Sequence, residues 1–146
     1  MGERAPVIRP MSIEDYAAVL DLWEASDGVG LGDSDTRPAI ASYLERNRGL
    51  SLVLLVEGAI VGAVLCGHDG RRGYLHHLAV AVAHRSRGHG RSLVDACLDG
   101  LRAEGIPKCT IVVYADNTAG EAFWTGNGWA DRDDLRVMQR LIDPAV

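Results

Sequence analysis

The stretch from Leu50 to Val82 constrains the fold most. It is rich in apolar residues and is interrupted twice by turn-forming residues, from Glu57 to Ala59 and from Asp69 to Gly73. Apolar runs bounded by glycine-bearing turns are typical of strands joined as antiparallel hairpins. We therefore predict three consecutive strands, Leu50–Glu57, Ile60–His68 and Gly73–Val82.

Helical periodicity precedes and follows these strands. Apolar residues at helical spacing predict two helices before them, Ile13–Ser26 and Thr36–Asn47, and a long one after them, Gly88–Glu104. The predicted remainder is a first strand Val7–Arg9, a strand Cys109–Tyr114, a short helix Thr118–Asn127 and a last strand Leu135–Ile142. The order β-α-α-β-β-β-α-β-α-β indicates an α+β (mixed α/β) fold, with helices on the faces of a mixed sheet. At 146 residues, we expect one domain spanning residues 1–146.

Composition excludes several kinds of protein. The net charge of −5 argues against a nucleic-acid partner. The apolar stretch Leu50–Cys66 is interrupted by Glu57 and Gly58, so we expect no membrane span. The N-terminus has no apolar signal core, and the three cysteines form no CxxC pair, which together predict a cytoplasmic protein with reduced thiols. We expect no metal, since no cluster of histidine and cysteine suggests a site.

The junction between the third of these strands and the long helix is a candidate anion site. A basic, glycine-bearing loop there opens the helix, whose first N–H groups have no internal partner. The helix dipole adds partial positive charge, and glycine lets a phosphate approach the backbone closely. Neither GxxxxGK[ST] nor GxGxxG is present in the loop. The predicted binding residues of this loop are Arg85, Ser86, Arg87, Gly88, His89, Gly90 and Arg91.

The pattern Arg85-x-x-Gly88-x-Gly90, after a Leu-Ala-Val strand, resembles the pyrophosphate loop of the GNAT superfamily of N-acetyltransferases. Asn117, Phe123-Trp124 and Gly128-Trp129 extend the resemblance to about Leu52–Trp129. It implies a small bacterial-type single-domain enzyme with six to seven strands and about four helices, and acetyl-CoA as cosubstrate. It further implies coenzyme contacts from the main chain of Leu78, Ala79 and Val80, and from Asn117 and Trp124.

Proton transfer in such a reaction requires a base, because an alkyl amine is mostly charged at neutral pH. His76 is the candidate, since histidine titrates near neutrality, and Tyr74 occupies a position that holds a glutamate or histidine in other members. Period-two alternation predicts Tyr74, His76, Leu78 and Val80 on one face, with His77 on the other as a structural residue. Trp124 stands where the family usually has the tyrosine assigned as general acid, and indole is not a useful acid.

The resemblance implies transfer of an acetyl group to a primary amine of a small molecule or peptide. The loop Asp27–Asp35 and the hairpin Asp69–Gly73 are the expected substrate contacts. The acids of the loop would attract a cationic amine, or the arginines of the hairpin would instead recognise an acidic group, and the sequence leaves both alternatives open. The Trp124 departure leaves open a catalytically idle acyl-CoA binding or sensing module. A longer acyl chain and a homodimer are also compatible with the sequence.

Overall fold

A computed structural model of the chain describes residues 4–143. Five strands form one mixed sheet in the order β1-β2-β3-β4-β5, antiparallel except for the parallel pair β4–β5. The strands are β1 Val7–Pro10, β2 Leu52–Val56, β3 Ala59–His68, β4 Gly73–Val80 and β5 Cys109–Thr110. The helices are α1 Tyr16–Glu24, α2 Arg37–Arg46, α3 His89–Ala103 and α4 Thr118–Gly126, with short 3-10 turns at Ile13–Asp15, Asp33–Asp35 and Val82–His84.

The chain divides into two compact units. Residues up to 112 form the first, which contains the sheet and helices α1 to α3, and residues from 113 form the second, which contains α4. The predicted mixed α/β architecture and its element order are confirmed as far as α4.

The predicted number of strands is too high. The described residues contain five strands rather than six to seven, and Leu135–Ile142 is irregular. Its adjacent apolar pairs, Val137-Met138 and Leu141-Ile142, break the period-two alternation of a half-buried strand. These side chains are 65–99% exposed, so no strand partner among the described residues covers them. Strand β5 is also shorter than predicted, two residues instead of Cys109–Tyr114.

Helices cover both faces of the sheet in the first unit. On one face Val19, Leu22 and Trp23 of α1 and Ile40 of α2 belong to a core with the β-strand residues Val53, Ala63, Leu65 and Ala79. On the other face α3 packs so closely that a Cβ at Gly73 would lie 2.6 Å from Leu101 Cδ1. Glycines in β3 and β4 therefore allow the helix to approach the sheet.

A bulge in β4 re-aims its side chains. Leu65 pairs with His76 but Ala63 pairs with Ala79, so one residue of β3 stands opposite both His77 and Leu78. His77 has φ +56°, in the left-handed region. An extra residue flips the alternation that follows. The predicted shared face of Tyr74, His76, Leu78 and Val80 is therefore wrong beyond His76, because Ala79 now takes that face and Val80 the opposite one.

Candidate active site

The loop after β4 has the backbone of an anion-binding turn. A 3-10 turn at Val82–His84 leads to Ser86 with φ +63° and Gly88 with φ +82°, and α3 begins at His89. Left-handed residues separated by one position turn successive backbone N–H groups toward a common point. Apart from the residues next to it in the chain, nothing lies within 4 Å of where a Gly88 Cβ would be, so the space over this turn is open. The loop residues therefore fit a pyrophosphate.

The side chains of the loop divide into exposed and buried groups. Arg85, Ser86, Arg87 and Arg91 are exposed, whereas the His89 ring is 9% exposed, so His89 offers its backbone rather than its ring. Arg91 Nε lies 3.9 Å from Asp95. Arg85 Nε donates a 2.9 Å hydrogen bond to the Val80 carbonyl oxygen. This bond uses one of five guanidinium donors and folds Arg85 back over the end of β4.

Strands β4 and β5 separate soon after they meet. They pair only at Gly73–Cys109 and Tyr74–Thr110, although β4 continues to Val80. The Ala81 N–H bonds the Val61 carbonyl of β3, so alternation directs the Val80 N–H and carbonyl to the edge away from β3. Of the predicted backbone contacts, the register therefore favours Val80 as a partner for a ligand at this edge. The backbone N–H and carbonyl of Ala79 point toward β3 instead.

His76 lies on β4 immediately before the bulge, and its ring is exposed to solvent. Its centroid is 6.3 Å from those of Tyr43 on α2 and Tyr74 on β4. The pKa of His76 is lowered from 6.5, first because these surroundings remove part of its hydration and then because of the positive charge of His77, with Asp35 opposing. His76 is therefore mostly neutral at pH 7 and able to accept a proton.

His77 does not face the opposite side of the sheet, as period-two alternation predicted. The bulge turns its ring toward α1, where it packs edge-on against Trp23 with centroids 5.0 Å apart. Its Nε2 lies 2.8 Å from Asp35 Oδ1. Trp23, Tyr43 and Asp35 thus surround the two histidines. The sequence pointed to Asp35 as an acid of the predicted substrate loop, whereas Trp23 and Tyr43 had only the helical spacing of core residues.

Asn117 and Trp124 belong to the second unit. Asn117 caps α4, since its Oδ1 accepts a 2.9 Å hydrogen bond from the Gly120 N–H. A Cβ at Gly120 would lie 2.4 Å from Asn117 Nδ2, so glycine there permits this cap geometry. The half-buried Trp124 packs edge-on against Phe123 and Trp129, with centroids 5.1 and 5.0 Å apart. Trp124 therefore belongs to an aromatic cluster of its own unit.

Two further properties concern the described residues as a whole. Residues 4–143 contain no group of three or more histidine, cysteine, aspartate or glutamate side chains placed to hold a metal ion. In the same range, every helix is too short or too polar to cross a bilayer.

Residues 16–129 match the model of the acetyltransferase (GNAT) family. The chain belongs to this family. It is 34% identical over 135 residues to an acetyltransferase of Yersinia enterocolitica, covering 92% of this chain and 95% of that one.

Two solved structures share the fold. One is the PaiA N-acetyltransferase of Thermoplasma acidophilum in complex with coenzyme A, with a TM-score of 0.79, 18% identity and coverage of 89% of this chain and 92% of that one. The other is the aminoglycoside acetyltransferase AAC(6′)-Iy in complex with a bisubstrate analogue, with a TM-score of 0.76, 16% identity and coverage of 94% and 99%. The chain is thus a member of the acetyltransferase family with the fold of these two enzymes.

Proposed function

We propose that the chain transfers the acetyl group of acetyl-CoA to a primary amine of a small molecule. The observation that carries this proposal is His76, a solvent-open imidazole of lowered pKa on the strand that leads into the anion-binding turn. Acetyl-CoA supplies an activated acyl group as a thioester. The remaining requirement is a neutral amine, which a base must produce.

His76 takes one proton from the ammonium form of the amine, directly or through water, and the neutral nitrogen then attacks the thioester carbonyl carbon. The new C–N bond forms, the C–S bond breaks and the coenzyme leaves as a thiolate, to which the second proton of the nitrogen passes through solvent. A thiolate is a competent leaving group, so the reaction does not require Trp124 to act as an acid. Tyr74, half-buried beside His76, is the alternative proton acceptor.

Coenzyme binding in this proposal uses the turn after β4. Arg85, Ser86, Arg87 and Arg91 supply side chains, and Gly88, His89 and Gly90 supply backbone N–H groups at the helix N-terminus. The main chain of Leu78, Ala79 and Val80 lies along the edge where β4 and β5 separate. For the second unit, the resemblance to the family implies coenzyme contacts from Asn117 and Trp124. The early end of β4–β5 pairing supports a slot for the pantetheine arm.

A cationic amine suits the segment between α1 and α2. Asp27 and Asp33 are exposed there and lower the local potential, whereas Asp35 is engaged by His77. AAC(6′)-Iy, which shares the fold, was solved with the bisubstrate analogue CoA-S-monomethyl-acetylneamine. Arg71 and Arg72 on the β3–β4 hairpin are exposed, and their positive charge suits an acidic group elsewhere on the acceptor.

The direct test is an amine panel. Thiol release from acetyl-CoA should depend on the amine, favour cationic small molecules over acidic ones, and be matched by acetylated product in mass spectrometry. Coenzyme binding without amine-dependent thiol release would instead identify an idle binding module. Faster turnover with longer acyl-CoA would identify a different acyl donor.

Substitution of Gly88 should weaken coenzyme binding selectively. Alanine at φ +82° is strained and places a methyl group in the open space over the turn, so we expect Gly88→Ala to raise the Kd for coenzyme A about 10-fold. Gly105→Ala is the matched control, since Gly105 has φ +79° and equally open surroundings beyond the other end of α3. Calorimetry and melting curves should show similar destabilisation but weaker binding for Gly88→Ala alone. Equal affinity in both variants would contradict the loop assignment.

A further inference from the structure

Asp35 and His77 form a largely buried pair beside the candidate base. Their side chains are 11% and 18% exposed, and His77 Nε2 lies 2.8 Å from Asp35 Oδ1. The second carboxylate oxygen, Oδ2, accepts a 3.0 Å hydrogen bond from the Gly32 N–H. Both carboxylate oxygens are thus used, one by the bulge of β4 and one by the segment between α1 and α2.

Two side chains of α1 complete the connection. The Tyr16 hydroxyl donates a 2.7 Å hydrogen bond to the Asp35 carbonyl. The Trp23 indole Nε1 donates a 2.9 Å bond to the carbonyl of His77, which the bulge removes from the regular ladder. The α1–α2 segment, the bulge and α1 are therefore joined by three hydrogen bonds that converge on Asp35 and His77, and the bond from Gly32 orders the α1–α2 segment itself.

The hydrogen bond between Asp35 and His77 gives His76 and His77 different roles. A carboxylate can only accept, so His77 Nε2 must carry a hydrogen while it faces Asp35. That nitrogen cannot serve as a base without breaking the pair. The His76 ring, whose centroid is 6.5 Å from that of His77, is left open to solvent.

The groups that face His76 come from three elements. They are Asp35 on the 3-10 turn, Tyr43 on α2, and His77 and Tyr74 on β4 itself. Asp35 raises the pKa of His76 and His77 lowers it, both by less than desolvation does. The two members of the pair therefore have opposite effects on the pKa of His76. At the same time, their hydrogen bond fixes the backbone next to His76.

We propose that Asp35 and His77 are positioning residues, which fix the α1–α2 segment to the β4 bulge and so set the acceptor side of the site around His76. This inference rests on the proposed function, since it assigns the α1–α2 segment to the acceptor. Neither residue touches the reacting atoms. Their removal acts through the placement of the acceptor and of His76.

The first test separates positioning from chemistry by kinetics. Asp35→Asn should raise the KM for the amine about 10-fold, with a smaller fall in kcat and an unchanged Kd for coenzyme A. His77→Gln keeps an N–H donor near the Nε2 position and should retain most of the wild-type KM, whereas His77→Ala should not. Asp99→Asn is the control for loss of one carboxylate, since Asp99 is exposed at the other end of α3. Unchanged amine KM in folded Asp35→Asn and His77→Ala would overturn the inference.

A second test needs no turnover. NMR titration of the His76 ring should give a lower pKa in Asp35→Asn than in the wild type, because a charge that raises it is gone. An unchanged His76 titration would overturn the inference even in an active enzyme. If instead the shift appears but no amine is acetylated, the proposed function fails and the pair's hold on His76 stands.

The wild type alone provides the remaining check, should the variants fail to fold. In ¹⁵N spectra the His77 ring should carry its hydrogen on Nε2 across neutral pH, with slowed exchange. If the His77 ring carried its hydrogen on Nδ1 alone, it could not donate to Asp35, and the inference would be overturned.

Discussion

His76→Ala is expected to lower kcat/KM for the amine about 10²-fold or more, the usual contribution of a general base. The ring is open to solvent and stands between the tyrosine rings of α2 and β4, where an acceptor amine can reach it. Steady-state thiol release measures the effect. Coenzyme affinity and melting temperature should stay close to wild type, because the exposed ring supports neither the anion-binding turn nor the core.

The pH profile provides the corresponding signature. Only the neutral imidazole accepts a proton, so kcat/KM should rise as pH increases through the pKa of His76 and then level off. Because desolvation lowers that pKa from 6.5, the rise should occur at a lower pH than an ordinary histidine would give. The rise should vanish in His76→Ala. A folded variant that keeps the full rate and the wild-type profile would rule out His76 and point to Tyr74 or a bound water.

Trp23→Ala is expected to destabilise the first unit by about 3–5 kcal/mol, the range for truncating a fully buried aromatic residue. Trp23 is 0% exposed, and its loss leaves both a cavity between α1 and the sheet and the bulged His77 carbonyl without its donor. Trp23→Phe keeps most of the packing but removes that donor, so a smaller loss of about 1–3 kcal/mol should remain.

Chemical denaturation followed by circular dichroism measures both variants of Trp23. Val112→Ala is the control, because Val112 is 67% exposed and its truncation should change the free energy of unfolding by less than about 0.5 kcal/mol. A Trp23→Ala variant as stable as that control would show that the indole is not a core anchor of the unit.

Local sequence signals were sufficient to predict most of the strands and helices of this protein. The three central strands lie within a residue or two of their predicted bounds, because apolar runs and glycine-bearing turns act over short distances. The long helix and its basic loop were predicted for the same reason, since cap, glycine and periodic apolar residues are adjacent in the chain. The prediction of a last strand at Leu135–Ile142 was wrong, because a strand needs a partner and the composition of the segment does not reveal whether one is present.

The sequence by itself determined the family, the backbone pattern of the candidate anion loop and the choice of His76 as candidate base, since each depends on residues that are neighbours in the chain. Only the tertiary structure decided which way the rings on β4 point. The bulge arises because one residue of β3 lies opposite two residues of β4, His77 and Leu78, and alternation within β4 alone cannot reveal this mismatch. It brings His77 to Asp35, 42 residues earlier, and to the carbonyl's donor Trp23, 54 residues earlier. Contacts over such separations are set by how whole elements pack, and no short pattern in the sequence contains them.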